Sequence, residues 1–115
     1  SGYNIYPAQL ENIFDANEYV LMSCVIGVPD SYRMARPKVF VVLQPGVPQN
    51  EETRGAIMAY AEKHIAKYAM PKELEFRDEL PKTLVGKVAY RKLEEEEAAK
   101  RAAAGENPAG SEENK

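Results

Sequence analysis

Six consecutive residues, Lys38-Val39-Phe40-Val41-Val42-Leu43, put apolar side chains at both odd and even positions. Successive side chains of a strand point to opposite faces, so such a run predicts a central strand covered on both sides. Gln44-Pro45-Gly46-Val47-Pro48 ends it with turn-forming residues. Upstream, Val20 to Val28 reads as a second strand that closes at Gly27-Val28-Pro29-Asp30. Strict alternation would give Val20, Met22, Cys24, Ile26 and Val28 one face, and Leu21, Ser23 and Val25 the other. The connection between the two is short enough for an antiparallel pair. Glu73-Leu74-Glu75-Phe76-Arg77 alternates polar and apolar, predicting a half-buried strand that faces the core through Leu74 and Phe76.

Helical spacing appears between these runs. Tyr3, Ile5 and Tyr6 favour extended backbone, and Pro7 then suits a first helical position. Leu10, Ile13 and Phe14 form one apolar stripe, and Asn17 is the expected stop because asparagine tolerates left-handed geometry. Asn50 before Glu51 and Glu52 is a helix cap with acidic residues in the first turn. Ile57, Ala61, Ile65 and Tyr68 predict a helix over residues 51–69, weakened at Gly55 and stopped by Pro71. Residues 88–104 predict a third helix whose first turns dock through Val88 and Leu93. Glu96–Lys100 and Glu97–Arg101 are acid-before-base pairs at i,i+4, and the absence of an apolar stripe there predicts a solvated second half. The expectation is an α+β domain over residues 1–104: a short extended segment, then a central sheet of about three strands packed by two or three helices. Residues 105–115 read as a flexible tail.

Composition narrows the class. At 115 residues, with 44% hydrophobic and 29% charged, the chain can bury one modest core. No apolar run approaches the roughly 20 residues of a membrane span, and a net charge of −3 argues against a nucleic-acid partner. The one cysteine, Cys24, has no internal partner, which points to a reducing, cytoplasmic setting. Ser1-Gly2 reads as a cut through a longer protein.

The candidate site is Pro81-Lys82-Thr83-Leu84-Val85-Gly86-Lys87, which joins a strand pattern to a charged helix. Loops on rigid scaffolds often carry catalytic groups, and Gly86 permits a tight turn or a close approach to ligand. On its residues alone the segment reads equally as a solvated connector. Elsewhere the chemistry is thin. Cys24 lies in an apolar strand, where a buried, inert thiol is expected. His64 has no cysteine or second histidine near it and reads as a surface residue. There is no metal-ligand spacing and no supported serine–histidine–acid set. Glu94 to Glu97 read as a solvated helix face, and Tyr3, Tyr6, Tyr60 and Tyr68 as core or boundary packing.

Taken in order, the motifs become specific. Gly2-Tyr3-Asn4-Ile5-Tyr6-Pro7 with Leu10-Glu11, Val25-Ile26-Gly27-Val28-Pro29-Asp30, Phe40-Val41-Val42-Leu43, Tyr68 with Pro71-Lys72, and Pro81-Lys82-Thr83 with Gly86-Lys87 follow the order and spacing of one family. Over residues 1–93 the chain resembles the C-terminal lid domain of an acyl-CoA synthetase, of the adenylate-forming superfamily. The resemblance implies two half-reactions: a fatty or other carboxylic acid reacts with ATP to give an acyl-adenylate, then the lid rotates and CoA takes the acyl group. It implies Lys87 as the catalytic lysine of the first step, Thr83 and Gly86 as residues shaping its loop, and Gly2, Tyr3 and Asn4 lining the pantetheine path. ATP and Mg2+ would be held mainly by an N-terminal domain absent from this chain, so the chain alone is expected to be inactive.

Some positions depart from the family pattern. Gln9 stands for a usual glutamate, Met34-Ala35 for Gly-Glu, Ala69-Met70 for a pair such as Lys-Val, and Tyr90 for a frequent arginine. Two alternatives stay open at this level. One is a fragment of an amino-acid- or aryl-acid-activating adenylation domain; the other is a free-standing interaction module with an acidic helical tail.

Overall fold

In a computed structural model, residues 6–29 and 35–105 are described. The apolar run at 38–43 lies within strand β2 (Ala35–Leu43), which is the middle strand of three. β1 (Val20–Pro29) pairs with it antiparallel, and β3 (Glu73–Phe76) pairs with it parallel. Helices α1 (Pro7–Asp15), α2 (Glu51–Glu62) and α3 (Tyr90–Ala103) complete the α+β domain. The parallel β2–β3 pair requires a crossover, which α2 supplies. The extended segment expected before α1 lies outside the described residues except for Tyr6, as does the expected tail beyond Gly105.

The two faces of the sheet carry different cores. One gathers Leu10 and Phe14 of α1, Ile57 and Ala61 of α2, and Val25, Val39, Val41, Leu43 and Leu74 of the sheet. The other gathers Cys24, Ile26, Val28, Phe40 and Val42 with Leu80 and with Leu93 of α3. Coverage of β2 on both sides is what its sequence requires. Phe76 is half-buried against the first core, as its alternation with Leu74 predicts.

Four sequence expectations are corrected. Val20 packs with the first core, not with Cys24 and Ile26, because the register slips between Val20 and Met22. Leu21 is the extra residue of that bulge and is exposed; a bulge reverses the alternation beyond it. Helix α2 ends at Glu62, seven residues before the expected end, and only a 3-10 turn at Lys67–Ala69 follows. Ala66 in extended geometry, ψ 145°, breaks the path, so Ile65 stays buried while Tyr68 turns out to solvent. Tyr6 is likewise exposed, so among the described tyrosines expected to pack only Tyr60 is half-buried, its ring 4.7 Å from that of exposed His64, while Tyr3 lies outside the described residues. Asn17 does close α1, but through its side chain, whose Oδ1 accepts from the Tyr19 N–H at 2.8 Å.

The fourth correction concerns α3. Its second half is docked, not solvated. Leu93, Glu97 and Arg101 recur every fourth residue and all are buried. Lys38, only 5% exposed in mid-sheet, donates to both Glu97 carboxylate oxygens at 2.9 Å and to Glu75 at 2.9 Å. Arg101 reaches Glu97 at 3.2 Å and Glu73 at 2.9 Å, and Arg36 also pairs with Glu73. Lys100 binds Glu75 at 2.9 Å, and Glu96 is met by Arg77 at 3.2 Å. Glu73 and Glu75 share a face with Lys38 and Phe40, so charge continues the surface that Leu93 meets as hydrocarbon. Burial raises the pKa of Glu73 and Glu75, but the hydrogen bonds from Arg36 and Arg101, and from Lys100 and Lys38, outweigh it and hold both below the usual value.

Candidate functional site

The segment 81–88 is a hairpin, not an open connector. Its stems are anchored in the second core by buried Leu80 and half-buried Val88. Lys82 and Val88 form an antiparallel bridge, and the Ala89 N–H donates to the Pro81 carbonyl at 2.8 Å. Within the loop, the Thr83 N–H donates to the Lys87 carbonyl at 2.7 Å, and the Gly86 N–H donates to the Thr83 carbonyl at 2.9 Å. Gly86 has φ +86°, a conformation open to glycine and strained for residues with a Cβ. A turn followed by a left-handed glycine is a common way to close such a hairpin with a bulge. The Thr83 hydroxyl then accepts the Lys87 N–H at 3.2 Å.

The hairpin brings together three of the residues singled out in sequence: Thr83 and Gly86 brace the backbone, and Lys87 leaves it as an exposed side chain. Gly2, Tyr3 and Asn4, the other residues singled out, lie outside the described residues. At the tip, Leu84 and Val85 are exposed. A groove of about 630 Å3 runs beside β3, lined by residues including Lys38, Arg54, Lys72 and Glu75, and no hairpin residue contributes to it.

Just beyond the hairpin, Tyr90 opens α3 and its hydroxyl donates to Glu11 Oε2 at 2.6 Å. The same carboxylate oxygen accepts the Val25 N–H of β1 at 2.8 Å. Glu11 therefore joins α1, the sheet and the start of α3. Sequence reading notes Glu11 and Tyr90 separately; nothing in their spacing of 79 residues signals that they meet. Burial, the hydrogen bond to Glu11 and its charge push the Tyr90 hydroxyl pKa up. Burial, followed by the Glu11 charge, pushes the Cys24 thiol up to about 12, consistent with the inert cysteine expected. Among the described residues no group of three or more His, Cys, Asp or Glu side chains could hold a metal ion, and no helix is long and apolar enough to cross a membrane.

A mixed three-stranded sheet with helices on both faces and a braced, lysine-bearing hairpin with an exposed tip defines a small α+β domain. The chain belongs to the family described as the AMP-binding enzyme C-terminal domain, whose model matches residues 9–87 and ends on that lysine. It is 47% identical over 96 residues, 84% of its length, to a long-chain-fatty-acid–CoA ligase of Bacillus subtilis (strain 168), and spans 17% of that relative. It is 38% identical over 93 residues, 81% of its length, to a benzoate–CoA ligase of Thauera aromatica, and spans 18% of it. Among solved structures, a Brucella canis acyl-CoA synthetase superposes with a TM-score of 0.80 at 34% identity, covering 88% of this chain and 19% of that one. The chain thus spans less than a fifth of these relatives.

Proposed function

We propose that this chain is the mobile C-terminal domain of an AMP-forming acid–thiol ligase, and that Lys87 serves its first half-reaction. In that step a carboxylate oxygen attacks the α-phosphorus of ATP, the bond to the β-phosphate oxygen breaks, and pyrophosphate leaves. In the second step the CoA sulfur attacks the acyl carbon, the carbon–oxygen bond to AMP breaks, and the thioester forms. The acid is fatty on the strength of the relative with 47% identity, although a benzoate ligase is also among the relatives.

The observation that carries this reading is the exposed Lys87 side chain on a hairpin whose backbone is fixed by Thr83 and Gly86. An ammonium on a long stem can contact the acyl carboxylate and the α-phosphate together. It offsets their mutual repulsion and stabilises the charge that develops as pyrophosphate departs. A fixed hairpin supplies the position, so the backbone that carries the lysine need not be ordered on engagement. Gly2, Tyr3 and Asn4 would line the pantetheine path after rotation, with glycine keeping that path wide. ATP and Mg2+ would be held mainly by the remaining part of the enzyme. The partner is then the N-terminal domain of the same protein, in the cytoplasm, with no nucleic acid required.

The test is Lys87→Ala in the full-length protein, with the halves assayed separately. ATP–pyrophosphate exchange should fall by about 100-fold or more, as for removal of a preorganised charge partner. Thioester formation from preformed acyl-adenylate and CoA should persist. Normal exchange in the variant would remove Lys87 from the mechanism.

A further inference from the structure

We propose that Leu84 and Val85 form an apolar anchor that docks the hairpin tip onto the N-terminal part of the full-length protein during adenylation. The proposal rests on the function given above, and concerns what holds the hairpin down while Lys87 acts.

At 106% and 79%, Leu84 and Val85 stand above the other exposed large hydrophobic residues, of which Tyr68 at 68% comes next. The exposure is not that of a loose loop. Backbone bonds from Thr83 to Lys87 and from Gly86 to Thr83, with the Lys82–Val88 bridge beneath, hold the tip in one shape. Nor does the turn call for these residues. They sit between the Thr83 carbonyl and the Gly86 N–H, at turn positions where proline, aspartate, serine or asparagine fit by their own chemistry. Valine, with its branched Cβ, favours strand geometry instead. A local rule broken with no gain inside the fold marks a position whose compensation lies elsewhere.

The occupant follows from what the chain lacks. The relatives are five to six times longer than their matched part, since the chain spans 17% of the ligase with 47% identity. Leu84 and Val85 precede Lys87 by three and two residues on the same rigid hairpin. A surface that receives the lysine therefore lies within reach of the tip. Burying the two side chains there would favour the adenylation arrangement of the domains and be lost when the domain rotates for thioester formation. The anchor thus acts on one half-reaction, and Leu84 and Val85 are positioning residues.

The experiment compares the full-length protein with its Leu84→Ser/Val85→Ser, Leu84→Met/Val85→Ile and Lys87→Ala variants. ATP–pyrophosphate exchange, thioester formation from preformed acyl-adenylate, thermal midpoint and solution mass are measured for each. The serine pair should slow exchange by about 10- to 100-fold, leave thioester formation within about twofold, and leave the midpoint unchanged. The Met/Ile pair should retain exchange, because apolar area is preserved. Exchange retained by the serine pair, or an equal fall in both half-reactions, would overturn the anchor. So would a fall in solution mass showing that the tip joins two copies of the protein. Slow exchange in the serine pair with normal exchange in Lys87→Ala would uphold the anchor while overturning the role given to Lys87.

Discussion

The two ends of the stretch from Thr83 to Arg101 break the usual partition of side chains in opposite directions. At the α3 end, Lys38, Glu97 and Arg101 are buried; at the hairpin end, Leu84 and Val85 are exposed. The buried charges are matched within the domain: Lys38 touches Glu75 and Glu97, and Arg101 touches Glu73 and Glu97. The exposed hydrocarbon of the tip has no such match among the described residues. An unusual placement that is satisfied internally speaks of how the domain holds together. One that is not satisfied points to a surface outside it. The first should therefore govern folding and the second catalysis, and each can be perturbed separately.

The largest expected effect on stability is that of Glu97→Ala. It leaves Lys38 and Arg101 buried without their shared carboxylate and should cost about 3–5 kcal/mol in chemical denaturation. Lys38→Met with Glu97→Leu should recover most of that, since a buried ion pair is often replaceable by hydrocarbon of similar volume. A double variant as unstable as Glu97→Ala would mean that the charges specify how α3 docks.

Acidification perturbs the same cluster less. Glu73 and Glu75 have folded pKa values held below the ordinary 4.5, so their stabilisation is present above that value. It is lost as pH falls through the lowered values. The denaturation midpoint should drop as the pH is taken below about 4.5. Lys100 runs the other way. Its hydrogen bond to Glu75 holds its pKa above the ordinary value despite the opposing effect of burial. Its contribution is therefore lost only in strong alkali, as pH rises through the raised value.

Smaller still is Tyr90→Phe, which removes the hydrogen bond to Glu11 and should cost about 1 kcal/mol in thermal or chemical denaturation. Smallest is Leu84→Ser/Val85→Ser, whose effect on stability should stay within about 0.5 kcal/mol, as for exposed positions. A destabilisation comparable to that of Glu97→Ala would show that the tip supports the fold and end the contrast.

What the sequence discloses follows the same division. β2 is legible because hydrocarbon on both faces admits a covered, central strand. The start of α2 is legible because Asn50 accepts the Thr53 N–H at 2.8 Å, a local bond announced by residue type. The hairpin is legible only as a glycine-containing turn: on its residues alone the segment reads equally as a solvated connector, and the Lys82–Val88 bridge that pairs its stems is not announced by residue type. Val20 is misplaced because one inserted residue at Leu21 reverses the period of two, and no residue type announces it. Glu97 and Arg101 read as a solvated pair because i,i+4 charges look alike on a free helix and on one docked against a charged strand. Their partners, Lys38 and Glu73, lie 59 and 28 residues away respectively, and only the parallel β2–β3 pairing brings them together. The end of α2 is lost to backbone geometry at Ala66, which its side chain does not signal.

The contact between Glu11 and the Val25 N–H has a counterpart across the sheet, where the Arg54 guanidinium donates to the Leu74 carbonyl of β3. An anion meets a donor on one outer strand and a cation meets an acceptor on the other. A sheet of three strands ends in rows of such groups, and any passing extended segment can extend the ladder through them. Here a charged side chain already occupies a position on each margin. Each contact blocks one position at which a further strand could pair, so both margins of the sheet are guarded against accretion by neighbouring molecules.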